Sequence, residues 1–247
     1  MFDHSAGAIA LVGSGEYLPV MDEIDRALLA TLPKNPLVAL LPTASGLEPG
    51  SPERWNRLGM THFSGLGVET VALELLGRQD AFDQAIQAAL TLANFFYFSG
   101  GNPNHLVETL QGTPAWDIMA RAHGTGAVIA GCSAGAMMLG GYTVRLRGLM
   151  TGEPPSLAPA LGVVPNVAVL PHFDRFAARL GQAAPQAFTE MAPEILAVLG
   201  IDEDTALVRL LPDHPWQVMG RQTVTVFRQG LPPAVFRAGE AVALPER

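Results

Sequence analysis

The feature that most constrains this 247-residue chain is the alternation of short apolar runs with longer amphipathic stretches over its first 140 residues. Segments 8–13 (AIALVG), 37–41 (LVALL), 68–73, 94–99 (NFFYFS) and 127–130 (AVIA) read as strands. Segments 19–32, 52–66, 81–92 and 105–123 between them have helical periodicity, the last broken at Pro114. A strand that is apolar at every position has no side to turn to water, so both faces of its sheet must be covered. With helices between the strands, the expected fold class is α/β, a doubly wound, mostly parallel sheet with helices on both faces. In such sheets the ligand site lies beyond the carboxyl ends of the strands.

The second half reads differently. A strand is expected at 163–170, then a helix at 173–182 that 186–191 extends. Strands are expected at 196–201 and 206–211. Segments 217–219, 223–227 and 234–237 alternate in the manner of antiparallel hairpins toward the C-terminus. No Pro-, Gly- or Ser-rich linker separates the halves and no repeat is visible, so 1–247 reads as a single domain.

Composition narrows the partners. Charged residues make up 15% and hydrophobic residues 49%, against about 25% charged in an average protein. The chain should therefore bury a substantial core and is not globally disordered. Net charge is −8, and the 15 basic residues (14 arginines and Lys34) form no run, which disfavours a nucleic-acid partner. Cys132 is the only cysteine, so a disulfide within the chain is impossible and a cysteine-based zinc cluster is disfavoured. The first residues lack the basic start and long apolar core of a signal peptide. No segment reaches the roughly 18 apolar residues of a membrane span. A cytoplasmic protein with no membrane partner is expected.

Three strand ends are rich in glycine or hydroxyls: GSGE at 13–16, SGGN at 99–102 and GCSAG at 131–135. The last lies between a strand and the helix-compatible AMMLG, the strand–turn–helix setting of a G-x-S-x-G nucleophile elbow. A sharp turn there holds the central residue, Ser133, at the apex. The flanking glycines remove side chains that would clash. The helix that follows aims its free N–H groups at developing oxyanion charge. Cys132 would point back into the sheet as a small buried hydrophobe. An amidotransferase-type thiol nucleophile at Cys132 would need an exposed, electropositive setting.

A serine nucleophile needs a base. Of six histidines, His172 in LPHFDRF directly follows an expected strand and shares a rim with Ser133. His4 falls in a terminus, His214 in a polar turn, and His62 and His123 on helical segments read as solvated surface. His105, after SGGNPN, could approach the site but reads as an exposed first-turn residue. A carboxylate should orient the base. Asp202, Glu203 and Asp204 in GIDEDTALV are candidates, as is Glu153, and spacing does not choose among them. The Gly100–Gly101 pair is suited to a second oxyanion donor, because glycine permits close approach.

With FSGGNPNHL, AGCSAGAMMLG, LPHFDRF and GIDEDTALV, the sequence resembles the cyanophycinase and dipeptidase E family of serine peptidases. IALVGSGE, LLPTAS and WQVMGRQTVTVF extend the resemblance over most of the chain. It implies a class I glutamine amidotransferase-like fold with serine in place of the amidotransferase cysteine. It implies Ser133 as nucleophile, His172 as base, and the N–H groups of Gly101 and Ala134 as oxyanion donors. The cyanophycinase branch carries its acid in a GIDE-type motif, which corresponds to Glu203. The dipeptidase E branch takes its acid from the segment between serine and histidine, where GYTVRLRGLMTG has none before Glu153. A Ser–His–Glu triad through Glu203 follows.

Specificity departs from the cyanophycinase pattern. Most of the arginines that follow the histidine there are absent, Pro103 replaces the glutamine after the glycine pair, and Asn102 stands at the acid. The resemblance thus implies a dipeptidase E-like enzyme, or one of altered specificity, acting on short peptides. Asn102, Arg175 and Arg179 are the candidates for substrate contact, the arginines for a carboxylate. No metal or organic cofactor is expected, and the protein is expected to be a monomer or homodimer. The alternative reading is a non-catalytic peptide- or small-molecule-binding protein on the same fold.

Overall fold

The computed structural model describes residues 6–33, 35–145, 156–180, 188–190 and 197–244. The expected runs form five adjacent strands of an eight-stranded sheet. β1 (Ile9–Val12), β2 (Leu37–Leu41), β3 (Glu69–Ala72), β4 (Phe95–Phe98) and β5 (Val128–Cys132) run parallel in the order β1-β5-β4-β2-β3. β10 (Thr205–Arg209), β11 (Trp216–Gly220) and β14 (Ala241–Val242) extend the sheet antiparallel beyond β1.

Alternate residues of the central strands feed two cores, as period-two geometry requires. Ile9, Leu11, Phe96, Phe98 and Ile129 join one, packed with Leu90 of α3 (Gln84–Leu92), Leu106 of α4 (Pro103–Leu110) and Met119 of α5 (Pro114–Gly124). Ala10, Val12, Phe95, Tyr97 and Ala130 join the other, packed with Ile24 and Leu28 of α1 (Asp22–Leu29) and Phe63 of α2 (Ser51–Gly65). The doubly wound reading therefore holds for this sheet.

A second sheet of six strands is the main addition. β6 (Gly140–Arg145), β8 (Val164–Leu170) and β9 (Ala197–Ile201) run parallel. β7 (Ser156–Pro159) flanks one side, and β12 (Thr223–Phe227) with β13 (Ala234–Arg237) the other, all antiparallel. Val167, Val169, Leu199 and Val224 merge one face with the first core. Leu170, Val198 and Phe227 form a smaller cluster with Phe173 of α7 (Phe173–Leu180).

No strand is expected from sequence at 140–145 or 156–159. β6 forms because α6 (Ala134–Leu139) stops at Gly140–Gly141 and Tyr142-Thr143-Val144 then favour extended backbone, and β7 pairs antiparallel against it. The helix expected at 105–123 starts earlier, at Pro103. Asn102 Oδ1 accepts the N–H groups of Asn104 and His105 at 3.0 and 3.2 Å, a helix cap. Thr113 and Pro114 restart the chain as α5, where the break is expected. The expected extension at 186–191 is helical at 188–190, and its other residues lie outside the described ones. Among the described residues, no helix is long and apolar enough to cross a membrane.

Candidate active site

Both sheets bring strand carboxyl ends to one place. β5 ends at Cys132, Ser133 follows with φ 51° and ψ −110°, and α6 begins at Ala134. A non-glycine residue in such a conformation costs on the order of 1–3 kcal/mol and persists only where its surroundings hold it. Here the Ser133 N–H donates to the Val12 carbonyl at 2.9 Å, and the Ser133 carbonyl accepts the Met137 N–H at 3.0 Å. The elbow glycines are close-approach positions. A Cβ on Gly131 would lie 2.4 Å from the Gly135 carbonyl, and one on Gly135 would lie 2.4 Å from the Phe98 carbonyl oxygen. Cys132 is fully buried, as its place before the apex predicts. Burial, with the Glu16 charge beside it, pushes its thiol pKa well up, so it offers no thiolate.

His172 follows β8 with φ 49°. Its Nε2 lies 3.1 Å from Ser133 Oγ and its Nδ1 lies 2.7 Å from Glu203 Oε1. Glu203 follows β9 and is held from several sides. Its Oε2 pairs with Arg175 Nη2 at 2.7 Å, and its N–H donates to Asp174 Oδ1 at 3.1 Å. Its carbonyl accepts from Thr205 Oγ1 and Gln222 Nε2, each at 3.0 Å. The neighbouring acids are engaged elsewhere. Asp202 Oδ2 accepts the N–H and hydroxyl of Thr223 at 3.1 and 2.6 Å, and burial raises its pKa. Asp204 pairs with Arg221 at 3.3 Å. Glu153 lies outside the described residues.

Gly100 and Gly101 follow β4 against the elbow. A Cβ on Gly100 would lie 3.4 Å from Ser133 Cβ. Gly101 has φ 145°, and a Cβ there would lie 2.4 Å from the Ala44 carbonyl, so only glycine fits. The Ala134 N–H opens α6 and has no acceptor within that helix. Asn102 is exposed, its side-chain oxygen capping α4. Arg175 is 70% exposed beyond its pairing with Glu203. Arg179 belongs to α7, and its side chain lies outside the described part of the structure. His105 is half-buried rather than exposed, with Nε2 donating to the Leu76 carbonyl at 2.7 Å.

Two expectations for histidine are overturned. His62 and His123 are buried, not solvated surface. His62 Nε2 lies 2.7 Å from Asp25 Oδ2, and His123 Nδ1 lies 2.8 Å from the Ala127 carbonyl. The signal for His62 is its place beside Phe63 on the stripe of α2 that also buries Pro52 and Gly59. Glu16 is also not anticipated. It is 8% exposed, and its position right after β1 at the same rim is the available clue. Among the described residues, no three His, Cys, Asp or Glu are grouped to hold a metal ion.

The sequence profile described as peptidase family S51 matches residues 8–210. Among solved structures, a peptidase from an acI-B1 Actinobacterium is 34% identical over 98% of this chain and 98% of that one, with a TM-score of 0.86. A candidate peptidase E protein from Listeria monocytogenes EGD-e is 18% identical over 91% of this chain and 100% of that one; its TM-score of 0.59 marks a likeness of fold. No curated protein matches the chain.

Proposed function

The chain belongs to peptidase family S51, and from that membership we propose that it hydrolyses short peptides through an acyl-enzyme on Ser133. It is a serine peptidase of the dipeptidase E type. The observation that carries the finer reading is the unbroken line from Ser133 Oγ through the His172 ring to Glu203, at 3.1 and 2.7 Å. Among the described residues, His172 Nε2 is the base within hydrogen-bond distance of Ser133 Oγ.

Ser133 Oγ attacks the scissile carbonyl carbon as its proton passes to His172 Nε2. Charge gathers on the carbonyl oxygen, where the N–H groups of Gly101 and Ala134 receive it. Glu203 accepts the Nδ1–H, which fixes the tautomer that leaves Nε2 free and then steadies the imidazolium. Collapse breaks the C–N bond, and the leaving amine takes the proton from Nε2. Water, deprotonated by the same nitrogen, then attacks the acyl carbonyl and frees Ser133.

Arg175 is assigned first to Glu203, which it pairs directly. Asn102, Arg175 and Arg179 remain the proposed contacts for the substrate's polar groups. The test is digestion of a peptide library read by mass spectrometry, beside fluorophosphonate labelling. Short peptides should be cleaved, and the label should appear on the Ser133 peptide. A Ser133→Ala variant that digests the library at the wild-type rate overturns the assignment.

A further inference from the structure

Glu16 is a buried carboxylate that no step above employs. A buried carboxylate is costly unless hydrogen-bond donors take up its oxygens. Both are taken up. Oε1 accepts the Gly100 N–H at 3.0 Å, and Oε2 accepts the Cys132 S–H at 2.8 Å. The two donors belong to two separate segments. Gly100 directly precedes Gly101, and Cys132 directly precedes Ser133, with Ala134 the residue after it. These are the segments whose N–H groups are assigned to the oxyanion.

An oxyanion hole works only when its donors lie 2.7–3.1 Å from one point in space, roughly a hydrogen-bond length each. Here the two donors follow neighbouring strands, β4 and β5, whose ladder ends at Phe98 and Gly131 and leaves the peptide planes beyond it to be oriented by other contacts; Glu16 touches both segments. Gly100 is caught between Glu16 and the nucleophile: a Cβ on it would lie 3.2 Å from Glu16 Oε1 and 3.4 Å from Ser133 Cβ. On the far side of Gly101, the Asn102 N–H is fixed to the Ala44 carbonyl at 2.7 Å. A Gly–Gly unit left without such anchors could turn its peptide planes freely.

We propose that Glu16 is a positioning residue of the oxyanion hole, bridging Gly100 and Cys132 so that the N–H groups of Gly101 and Ala134 converge. The lone cysteine thereby gains a role as a hydrogen-bond donor rather than a nucleophile. Burial keeps it in the thiol form that has a proton to give. The proposal rests on Ser133 being the nucleophile.

The test uses Glu16→Ala and Glu16→Gln in the full chain. It reads kcat and KM, the rate of fluorophosphonate labelling of Ser133, and inhibition by a peptide aldehyde, whose adduct places an oxyanion in the hole. Glu16→Ala should lower kcat and the labelling rate about 30- to 300-fold with KM within about twofold, since a misplaced donor approaches the loss of one. Aldehyde affinity should fall in the same proportion. Glu16→Gln keeps an acceptor for the Gly100 N–H and should recover activity to within about fivefold of wild type. The proposal is overturned if folded Glu16→Ala matches wild type in kcat and aldehyde affinity, or if Gln performs no better than Ala.

Should Glu16→Ala not fold, hydrogen exchange in wild-type protein labelled with 15N-glycine decides. The Gly100 amide must be strongly protected, and exchange at the rate of an open loop overturns the proposal. Failure of the nucleophile assignment itself would look different: no label on Ser133 in wild type, and an active Ser133→Ala.

Discussion

Two histidine–carboxylate pairs in this molecule have the same 2.7 Å contact, His62–Asp25 between α1 and α2 and His172–Glu203 where the two sheets meet. Their surroundings differ. The side chains of His62 and Asp25 are 4% and 2% exposed, whereas those of His172 and Glu203 are 42% and 18% exposed. His62 is ringed by aromatics, with Tyr17 at 5.9 Å and Phe63 at 5.0 Å between ring centroids, and its other nitrogen lies 3.6 Å from Asp22. The free nitrogen of His172 faces a serine hydroxyl at an elbow in a strained conformation. One pair joins two helices across a core, and the other presents a base to solvent. A His–carboxylate contact is therefore not by itself a catalytic signature; the group on the second nitrogen and the access to it decide.

Substitution should separate the two pairs cleanly. The largest effect belongs to the site: Ser133→Ala or His172→Ala should lower kcat about 10⁴- to 10⁶-fold with little change in melting temperature, as for triad members that act as a unit. Glu203→Gln should lower kcat about 10³- to 10⁴-fold, because the amide favours the wrong tautomer of His172. His62→Ala should do the reverse. It leaves Asp25 buried without its partner and should cost about 3–5 kcal/mol in urea unfolding, while kcat per folded molecule stays near wild type. A sharper version is the double variant Asp25→Leu/His62→Phe, which removes both polar groups at once. It should be more stable than either single variant, because an apolar pair of similar volume leaves nothing uncompensated. If the double variant is no better than the singles, the pair is not the local structural device described above.

The same contrast explains what could be read from the sequence. Ser133 is legible because an elbow is local: strand, glycines and helix lie within a few consecutive residues, and the close approach of Gly131 to the Gly135 carbonyl needs no distant partner. His172 was legible from its place after an apolar run. Glu203 is distinguished from Asp202 and Asp204 by the family resemblance alone. Spacing could not choose, because all three sit in one turn and only tertiary contacts aim Asp202 at Thr223 and Asp204 at Arg221. The His62–Asp25 pair and the Glu16 bridge are invisible in the sequence for one reason: their partners lie 37, 84 and 116 residues apart. The first sheet is legible because four of its five parallel strands, β1, β2, β4 and β5, are near-continuous apolar runs. β6 and β7 are not: β6 opens on Gly140-Gly141 and includes the charged Arg145, β7 is a four-residue strand bounded by prolines, and each forms by pairing across the second sheet.

Smaller effects refine the comparison. Arg175→Ala removes a mostly exposed partner of Glu203, and solvent screens such pairs, so kcat should fall only about two- to tenfold. The loss should shrink further as salt is raised. A loss as large as that of Glu203→Gln would mean that Arg175 does more than steady the carboxylate, and substrate contact would be the first place to look.

His123 supplies the third case, a buried histidine with no carboxylate. Burial lowers its pKa, and the charge of Arg209 acts in the same direction against the raising effect of its bond to Ala127. The folded protein therefore resists protonating it, whereas the unfolded chain takes up the proton near the ordinary value of about 6.5. Its stabilising contribution is complete above that pH and is lost as pH falls from there toward the lowered value in the folded state. Asp25 has the opposite sign. Burial raises its pKa, so the folded protein holds the proton more tightly and stability falls as pH rises from the ordinary carboxylate value of about 3.9 through the raised one. Urea unfolding across pH 4 to 8 should show both slopes, about 1 kcal/mol or less for His123. His123→Gln should flatten the limb just below pH 6.5 and leave the acid limb in place, and Asp25→Asn should do the converse. If His123→Gln leaves the upper limb unchanged, that limb belongs to another group.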